Sequence, residues 1–192
     1  MQQSLLIEKY LLDLQRVSQE LQAPVLDLAC GRGRNGLYLL QHDIPVTFAD
    51  INNEALEHVK LNIGSINANK QDIAQYWQTD FEQEPILSCN NSHPLHGKLF
   101  SAIIVYRYLH RPLFEHIKAS IKPGGILIYE TFTEQQAQFG RPKNPDYLLK
   151  PNELTNIFAG WKILHSFEGV VEPSVTNNVK QAIAQIVAIK PI

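Results

Sequence analysis

The sequence predicts an α/β fold: a Rossmann-like, doubly wound and mostly parallel sheet of about seven strands, with helices on both faces. Short apolar segments alternate along the chain with segments whose apolar residues recur every three to four positions, as strands alternate with helices. The final two strand-like segments, 161–171 and 182–189, have no helix-length segment between them and predict an antiparallel C-terminal pair.

The first quarter of the chain predicts a helix, a strand and a second helix. Ser4 is placed to cap a leading helix, whose leucines and valines recur at helical spacing until Pro24 stops it. Residues 25–30 are apolar and are followed at once by glycine, which predicts a buried strand. The next helix starts in the glycine segment and covers residues 36–40.

The second quarter begins clearly and then weakens. Residues 45–51 are rich in apolar and β-branched side chains and predict a second strand, and an asparagine at 52–53 caps the helix that follows. A weak third strand is expected at 66–70, ending at Gln71 and Asp72. Residues 73–98 are irregular and turn-rich, with one helical turn around 74–77.

The second half carries the clearest strand, residues 100–106. Pro112 suits the first position of a helix over 113–121, and residues 122–125 end that helix by turn chemistry. Residues 126–132 predict the fifth strand. A loop at 138–150 and a short helix opened by residues 151–154 complete the chain before the closing strand pair.

Composition limits the classes of function. The 192 residues are 44% hydrophobic and 19% charged, which is typical of one globular domain spanning 1–192 with a leading helix in 1–23. The formal charge of -2 provides no basic surface for a long nucleic acid. No signal peptide or membrane span is expected, and two cysteines, Cys30 and Cys89, suit a reducing cytoplasm.

A glycine-rich loop and an acid on the next strand indicate a nucleoside-containing cofactor. Residues 31–36 are a literal G-x-G-x-x-G between a strand and a helix, where missing Cβ atoms let the backbone turn tightly. Asp50, 19 residues beyond Gly31, ends the second strand, where a carboxylate can bind both ribose hydroxyls. A nicotinamide cofactor and S-adenosylmethionine both fit these features.

Asp27, inside the first strand, favours S-adenosylmethionine. A dinucleotide would place its pyrophosphate over the loop, where a carboxylate repels it, whereas S-adenosylmethionine carries a cationic amino group and a sulfonium. The alternative is that Asp27 caps the following helix or joins a structural hydrogen bond.

At these positions the sequence resembles the class I S-adenosylmethionine-dependent methyltransferases. The resemblance lies in residues 25–33 and 49–52, with further motif positions at 71–72, at Tyr106 and at 122–125. It covers nearly the whole chain, and the small tellurite-resistance-type methyltransferases are closest in size and ending.

The resemblance implies a residue for each part of the cofactor. Near the methionine part it places the backbone of Gly31 and Gly33, the Asp27 carboxylate at the amino group, and the Tyr106 carbonyl as a further ligand of that group. Ala29 stands within the motif where glycine is more usual, a change expected to alter only the loop geometry.

On the nucleoside side, the resemblance implies that Asp50 binds the ribose and that Asp72 faces the adenine amino group. Ile51 and Ile73 are expected to pack near the adenine ring.

Candidate catalytic groups follow the fourth and fifth strands: Arg107, Tyr108, His110, Arg111 and Glu130. His110, with Tyr108 or Glu130, is expected to remove a proton from the acceptor, and Arg107 or Arg111 to orient it. In the alternative interpretation the arginines fasten the loop by pairing with Glu115 or Glu130.

The predicted activity is methyl transfer from S-adenosylmethionine to a small-molecule or metalloid oxyanion acceptor by in-line displacement. Two alternatives stay open: a NAD-dependent Rossmann oxidoreductase, and a non-catalytic cofactor-binding module that serves a partner protein. No metal site is expected, although His93 and His96 flank a proline in a polar loop.

Overall fold

A computed structural model describes residues 3–66, 68–83, 93–172 and 179–192. Seven strands form one sheet in the order β3-β2-β1-β4-β5-β7-β6. The strands are β1 Val25–Leu28, β2 Val46–Asp50, β3 Ala74–Gln78, β4 Phe100–Tyr106, β5 Ile121–Phe132, β6 Lys162–Val171 and β7 Gln181–Ile189. The predicted fold class is therefore confirmed, with β1 to β5 parallel and β7 antiparallel to both of its neighbours.

Helices cover both faces of this sheet, and each face has its own hydrophobic core. The helices are α1 Leu5–Lys9, α2 Leu11–Leu21, α3 Arg34–Gln41, α4 Asn53–Ile66, α5 Leu113–Ser120 and α6 Glu153–Ile157. Apolar residues of α1 to α4 pack on one face, and those of α5 and α6 pack on the other. No helix in the described ranges is long and apolar enough to cross a membrane.

The sheet has its topological switch point between β1 and β4. β1 pairs in parallel with β2 on one side and with β4 on the other, so the chain winds in opposite directions from this point. Ligands of doubly wound sheets bind in the crevice at the carboxyl ends of such strands. The glycine loop follows β1 directly and therefore lies in this crevice.

The leading helix forms as predicted but is interrupted at Tyr10. Ser4 caps α1, because its hydroxyl accepts the N–H of Leu6 at 3.2 Å. The backbone N–H of Ser4 donates to the Asn35 side chain at 3.0 Å, which holds the start of α1 against the start of α3. The N-terminal segment thus lies beside the glycine loop.

The third-strand prediction is wrong by eight positions. Residues Ala68–Ile73 form a 3-10 helix, and the strand runs from Ala74 to Gln78, where an irregular connection with one helical turn was expected. Ala74 pairs with Val46 at the start of β2. Residues 74–78 include Tyr76 and Trp77, and large aromatic side chains suit a pleated surface, so pairing with β2 favours this segment.

The fifth strand starts earlier than predicted. Its first residues, 121–125, include the glycine pair that was expected to form a turn. A Cβ at Gly125 would lie 2.5 Å from the backbone oxygen of Ser101, so only glycine allows β5 to approach β4 here. After β5, residues Glu134–Gln138 and Pro145–Tyr147 form short 3-10 helices within the predicted loop region.

Candidate functional site

The loop between β1 and α3 turns through left-handed backbone conformations. Ala29, Gly31 and Gly33 have φ values of 52°, 53° and 72°. Glycine adopts this region at no steric cost, whereas alanine does so at a penalty. Ala29 therefore has the left-handed conformation that glycine favours, although it carries a side chain.

The glycines of this loop serve two purposes. A Cβ at Gly33 would lie 2.7 Å from the Val59 side chain, and one at Gly36 would lie 2.4 Å from the Phe48 ring, so both positions let α3 pack closely on β2 and α4. A Cβ at Gly31 would meet no atom within 4 Å. Of the three, Gly31 is the position that faces open space, where a ligand can approach the backbone.

Asp50 is fixed at the end of β2 by two backbone donors. The N–H of Gly31 donates to its Oδ2 at 2.7 Å, and the N–H of Asn52 donates to its Oδ1 at 2.9 Å. An ionised carboxylate has about four acceptor positions, so each oxygen keeps a position for a further donor. This geometry fits a ribose diol.

Asp27 is buried, with 3% of its surface exposed, on the sheet face that α3 covers. Its Oδ2 accepts the N–H of Gly36 at 2.9 Å, in the first turn of α3. Burial raises the pKa of Asp27 to about 7, while the Gly36 hydrogen bond and Arg34 act in the opposite direction. The structure thus shows the helix-capping interaction, and contact with a cofactor amino group stays a prediction.

Tyr106, at the end of β4, has a buried hydroxyl with no hydrogen-bond partner among the described residues. The Ser4 side chain lies beside it but outside hydrogen-bond geometry, and Asp27 and Arg34 are also close enough to influence its charge. Burial raises the pKa of this phenol. A buried polar atom without a partner is rare, and it fits a site that a polar ligand completes.

The residues expected near adenine separate into two groups. Ile51 directly follows Asp50 and is 60% exposed, an open apolar side chain at the crevice. Asp72 and Ile73 precede β3, so they lie at the amino edge of the sheet, opposite the glycine loop. Their expected adenine contact is therefore wrong, because it rested on the misplaced strand. Asp80 is the first acid after β3 and lies at the same edge as Asp50.

A cavity of about 270 Å³ opens beyond the carboxyl ends of β4 and β5. Its walls contain both apolar and charged side chains: Glu82, Arg107, Tyr108, Leu109, Thr131, Phe132, Pro142 and Tyr147. Arg107 and Tyr108, two of the five predicted catalytic residues, line it. The cavity therefore adjoins the strand edge that carries the glycine loop.

Arg107 is held in place from three sides. Its Nη2 atom lies 3.1 Å from Glu130 Oε1 and donates to the Gln181 side chain at 2.7 Å. The guanidinium carbon lies 4.4 Å above the centre of the Phe132 ring. The alternative pairing with Glu130 is thus observed, yet Arg107 also lines the cavity.

Glu130 is buried and does not line the cavity. It pairs with Arg107 through Oε1 and accepts a hydrogen bond from Gln185 at 2.5 Å through Oε2. Because both carboxylate oxygens have partners and neither reaches the cavity, the structure shows Glu130 in contact with Arg107, and its predicted role as a base stays a prediction.

Arg111 does not line the cavity but fastens the loop that carries the wall residue Tyr147. Its Nε and Nη2 atoms donate to Glu153 at 2.7 and 3.0 Å, and its Nη1 and Nη2 atoms donate to the carbonyls of Asp146 and Leu148. These bonds engage the guanidinium, so the structure shows Arg111 in a structural role, and its orientation of an acceptor stays a prediction. The alternative interpretation named Glu115 or Glu130 as the partner, whereas the observed partner is Glu153.

His110 does not line the cavity, which weakens its expected role as a base. It lies close enough to His93 to disfavour the protonation of that ring, and His93 stacks on His116 with ring centroids 3.6 Å apart. Burial and these neighbours lower the pKa of His93 to about 4.

Among the residues that the structure describes, no three histidine, cysteine, aspartate or glutamate side chains are grouped so that they could hold a metal ion. Cys30 is a free thiol beside Asp27 and Asp50, and burial with these two acids raises its pKa, so it suits packing rather than nucleophilic attack. Cys89 lies outside the described residues.

Sequence reasoning missed most of the cavity wall. Thr131 and Phe132 follow Glu130 at the end of β5, and their place at a strand end was an available signal. Pro142 and Tyr147 come from the loop after β5, and Glu82 follows β3. No local pattern marks these three, because only the folded chain brings them together.

A family model described as "Tellurite resistance protein TehB" matches residues 14–186. A search of curated protein sequences finds no match.

Solved structures share the fold at low sequence identity. TehB from Haemophilus influenzae superposes with a TM-score of 0.69 at 20% identity over 93% of this chain, and the chain covers 61% of the length of that protein. The N-methyltransferase NodS from Bradyrhizobium japonicum gives a TM-score of 0.62 at 13% identity, covering 96% of each chain. The glycopeptide N-methyltransferase MtfA, complexed with S-adenosylmethionine, gives 0.60 at 14% identity, covering 93% of this chain and 87% of MtfA.

The family match extends over nine-tenths of the chain, and solved methyltransferases superpose on 93–96% of it. The resemblance to the class I methyltransferases, with the tellurite-resistance type closest, is thereby confirmed. The chain belongs to the tellurite resistance protein TehB family and has the fold of the class I S-adenosylmethionine-dependent methyltransferases.

Proposed function

We propose that this protein is a methyltransferase that uses S-adenosylmethionine to methylate a small acceptor, either an organic molecule or a metalloid oxyanion. The observation that carries the proposal is the cavity beyond β4 and β5, which adjoins a crevice suited to a nucleoside. The solved relatives that contain S-adenosylmethionine or S-adenosylhomocysteine support the choice of cofactor.

The residues at the crevice fit this cofactor. Asp50 would bind the ribose hydroxyls, and the open backbone at Gly31 would lie against the methionine part. The unpartnered Tyr106 hydroxyl would complete a polar contact there, and Asp80 takes the adenine-side role first expected of Asp72. When bound, S-adenosylmethionine supplies a methyl group already activated on a sulfonium.

The chain's own contribution is then alignment and proton removal. Apolar wall residues exclude water from the acceptor, and Arg107 orients an anionic group on it. Glu82 and Tyr108 both line the cavity, and the Tyr108 phenol has its pKa raised by burial and by the Glu82 carboxylate beside it. Glu82 is therefore the wall group suited to accept the acceptor's proton, with Tyr108 as a neighbour that can donate to it.

The cavity size agrees with a small acceptor rather than a macromolecule. The formal charge of -2 agrees with the same choice, since a nucleic-acid partner requires a basic surface. We further propose that the protein acts in the cytoplasm.

Thermal unfolding tests the cofactor. We expect S-adenosylmethionine and S-adenosylhomocysteine at about 100 times their dissociation constants to raise the Tm by several degrees, because such binding adds about 2.7 kcal/mol to the free energy of unfolding. Asp50→Ala should abolish the shift, whereas Asp13→Ala, on the exposed side of α2, should keep it. A shift with NADH alone would contradict the proposal and favour the oxidoreductase.

Turnover distinguishes an enzyme from a binding module. Purified protein is incubated with methyl-labelled S-adenosylmethionine and either tellurite, selenite or a panel of small organic acceptors, and label transfer is measured. An enzyme loses turnover in Glu82→Gln while its cofactor-induced Tm shift is kept. Cofactor binding without transfer to any acceptor would indicate the non-catalytic module.

A further inference from the structure

The walls of the cavity carry chemical information about the acceptor. Resting on the proposed function, we propose that the acceptor is an organic anion with a flat apolar body and a carboxylate or similar oxyanion group, rather than a bare metalloid oxyanion. The apolar body would lie against the aromatic walls, and Arg107 would bind the charged group.

The size of the cavity fits such a molecule. Sites for drug-sized ligands have volumes of about 300–1,000 Å³, so a cavity of about 270 Å³ has room for one small organic molecule such as a single-ring aromatic acid. A metalloid oxyanion with three or four oxygens would leave much of this volume to water. The volume therefore favours an organic body.

The lining also favours an apolar body. Five of the eight wall residues are aromatic or aliphatic: Tyr108, Leu109, Phe132, Pro142 and Tyr147. Tyr147 is 52% exposed, so its ring is available to contact a ligand rather than being buried in the core. Burying flat apolar surface against such walls stabilises a complex, whereas a strongly hydrated inorganic anion gains nothing from them.

Arg107 retains donors for a ligand. Within the described ranges, only its Nη2 atom has partners, the side chains of Glu130 and Gln181. A guanidinium has five N–H donors, so the three on Nε and Nη1 have no partner in this part of the chain. Arg107 lines the cavity, so these donors suit the charge-assisted bonds that a carboxylate forms with arginine.

The residues around Arg107 restrict the movement of its guanidinium. Its φ of 59° is a left-handed conformation that a non-glycine residue adopts at a cost, as is common at ligand sites. The Phe132 ring lies beneath it, and Glu130 is itself bound by Gln185, which also contacts His165 at 3.0 Å. A guanidinium fixed in this way loses little freedom when it binds a ligand.

Calorimetry on the full chain saturated with S-adenosylhomocysteine tests the proposal without turnover. The probes are benzoate, 4-hydroxybenzoate and 2-aminobenzoate, each paired with its primary amide, together with tellurite. We expect at least one carboxylate to bind. Its amide should bind at least about tenfold more weakly, since the amide lacks the charge. Tellurite should not displace the carboxylate.

Two variants test separately whether Arg107 binds the charged group of the acceptor and whether Tyr147 contacts its apolar body. Arg107→Gln should weaken carboxylate binding about tenfold and leave amide binding unchanged. Tyr147→Ser, at an exposed position, should weaken carboxylate and amide alike. Arg16→Gln, on the exposed face of α2, is the matched control and should change neither.

Binding of S-adenosylhomocysteine, measured first for every variant, shows that the site is folded. The proposal is overturned if S-adenosylhomocysteine binds and no carboxylate does, if amides bind as tightly as their acids, or if tellurite competes. If Tyr147→Ser abolishes carboxylate binding and Arg107→Gln leaves it unchanged, the proposal that Arg107 binds the carboxylate is also overturned. Absence of S-adenosylhomocysteine binding to the unaltered protein would instead refute the proposed function.

Discussion

Ala29 and Arg107 are non-glycine residues in left-handed backbone conformations at the functional edge of the sheet. For an L-residue this conformation costs about 1–2 kcal/mol, so it is kept where the surrounding structure requires it. Ala29 follows β1 where the chain enters the glycine loop, and Arg107 follows β4 where the chain enters the cavity wall. Both residues redirect the backbone at the ends of central strands.

Ala29→Gly should increase the free energy of unfolding by about 0.5–1 kcal/mol. Removing the left-handed penalty of alanine outweighs the greater freedom of glycine in the unfolded chain. Urea unfolding measures this, with Ala49→Gly as the control, because Ala49 lies in β2 and its replacement should lower the stability by about 1 kcal/mol. A lower stability of Ala29→Gly would contradict the claim that Ala29 is strained.

Asp27 should give the stability a pH dependence that Asp27→Asn removes. Its pKa is about 7 in the folded protein against 3.8 for the free group, so between pH 4 and 7 the folded state holds a proton that the unfolded state has released. The free energy of unfolding contributed by Asp27 is therefore largest at low pH and falls as pH rises through 7, by up to about 4 kcal/mol.

The measurement is the difference in stability between the two proteins from pH 4 to 8. Asp27→Asn keeps an oxygen that can accept the Gly36 N–H but cannot ionise. The lowered pKa of His93 makes stability fall with decreasing pH, but this contribution is common to both proteins and cancels. A difference that does not change with pH would show that Asp27 keeps an ordinary pKa.

At the scale of elements, β4 and β3 show when sequence patterns locate a strand. All seven residues of β4 are buried and apolar or small, so its boundaries agree with the predicted 100–106. β3 is a half-buried edge strand, and its two polar residues, Gln75 and Gln78, lie three positions apart, so its sequence lacks the alternation that marks a strand. Its position is decided by pairing with β2, a long-range interaction that local patterns do not contain.

The corrected strand moves the adenine-side acid from Asp72 to Asp80. Asp80→Ala should weaken binding of S-adenosylhomocysteine about ten- to a hundredfold, since loss of one hydrogen bond to a charged group costs about 1.5–3 kcal/mol. Asp72→Ala should leave the affinity unchanged, because Asp72 precedes β3 at the far edge. Calorimetric titration of both variants checks this, and the opposite ranking would show that the cofactor extends to another part of the sheet.

The whole molecule is organised by one continuous sheet with a core on each face. Every strand pairs with a neighbour, and β7 lies between β5 and β6, so the C-terminal pair is an integral part of the sheet. If residues 1–192 form a single domain, as predicted, the sheet and both cores should unfold together.

Scanning calorimetry should show one transition, with equal calorimetric and van't Hoff enthalpies, because neither core can be exposed without breaking the shared sheet. Saturation with S-adenosylhomocysteine should move this transition as a whole. Two resolved transitions, of which only one responds to ligand, would instead indicate that the chain contains two independently folding units.

The sequence by itself determined the fold class, the central strands, the antiparallel C-terminal pair, and the glycine loop with Asp27 and Asp50. These features depend on local hydrophobic periodicity and on residues close together in the chain. Only the tertiary structure decided the edge strand β3, the partners of Arg107 and Arg111, and the cavity wall. These depend on contacts between distant segments, because a cavity and an ion pair exist only once strand ends and loops have been brought to the same edge of the sheet.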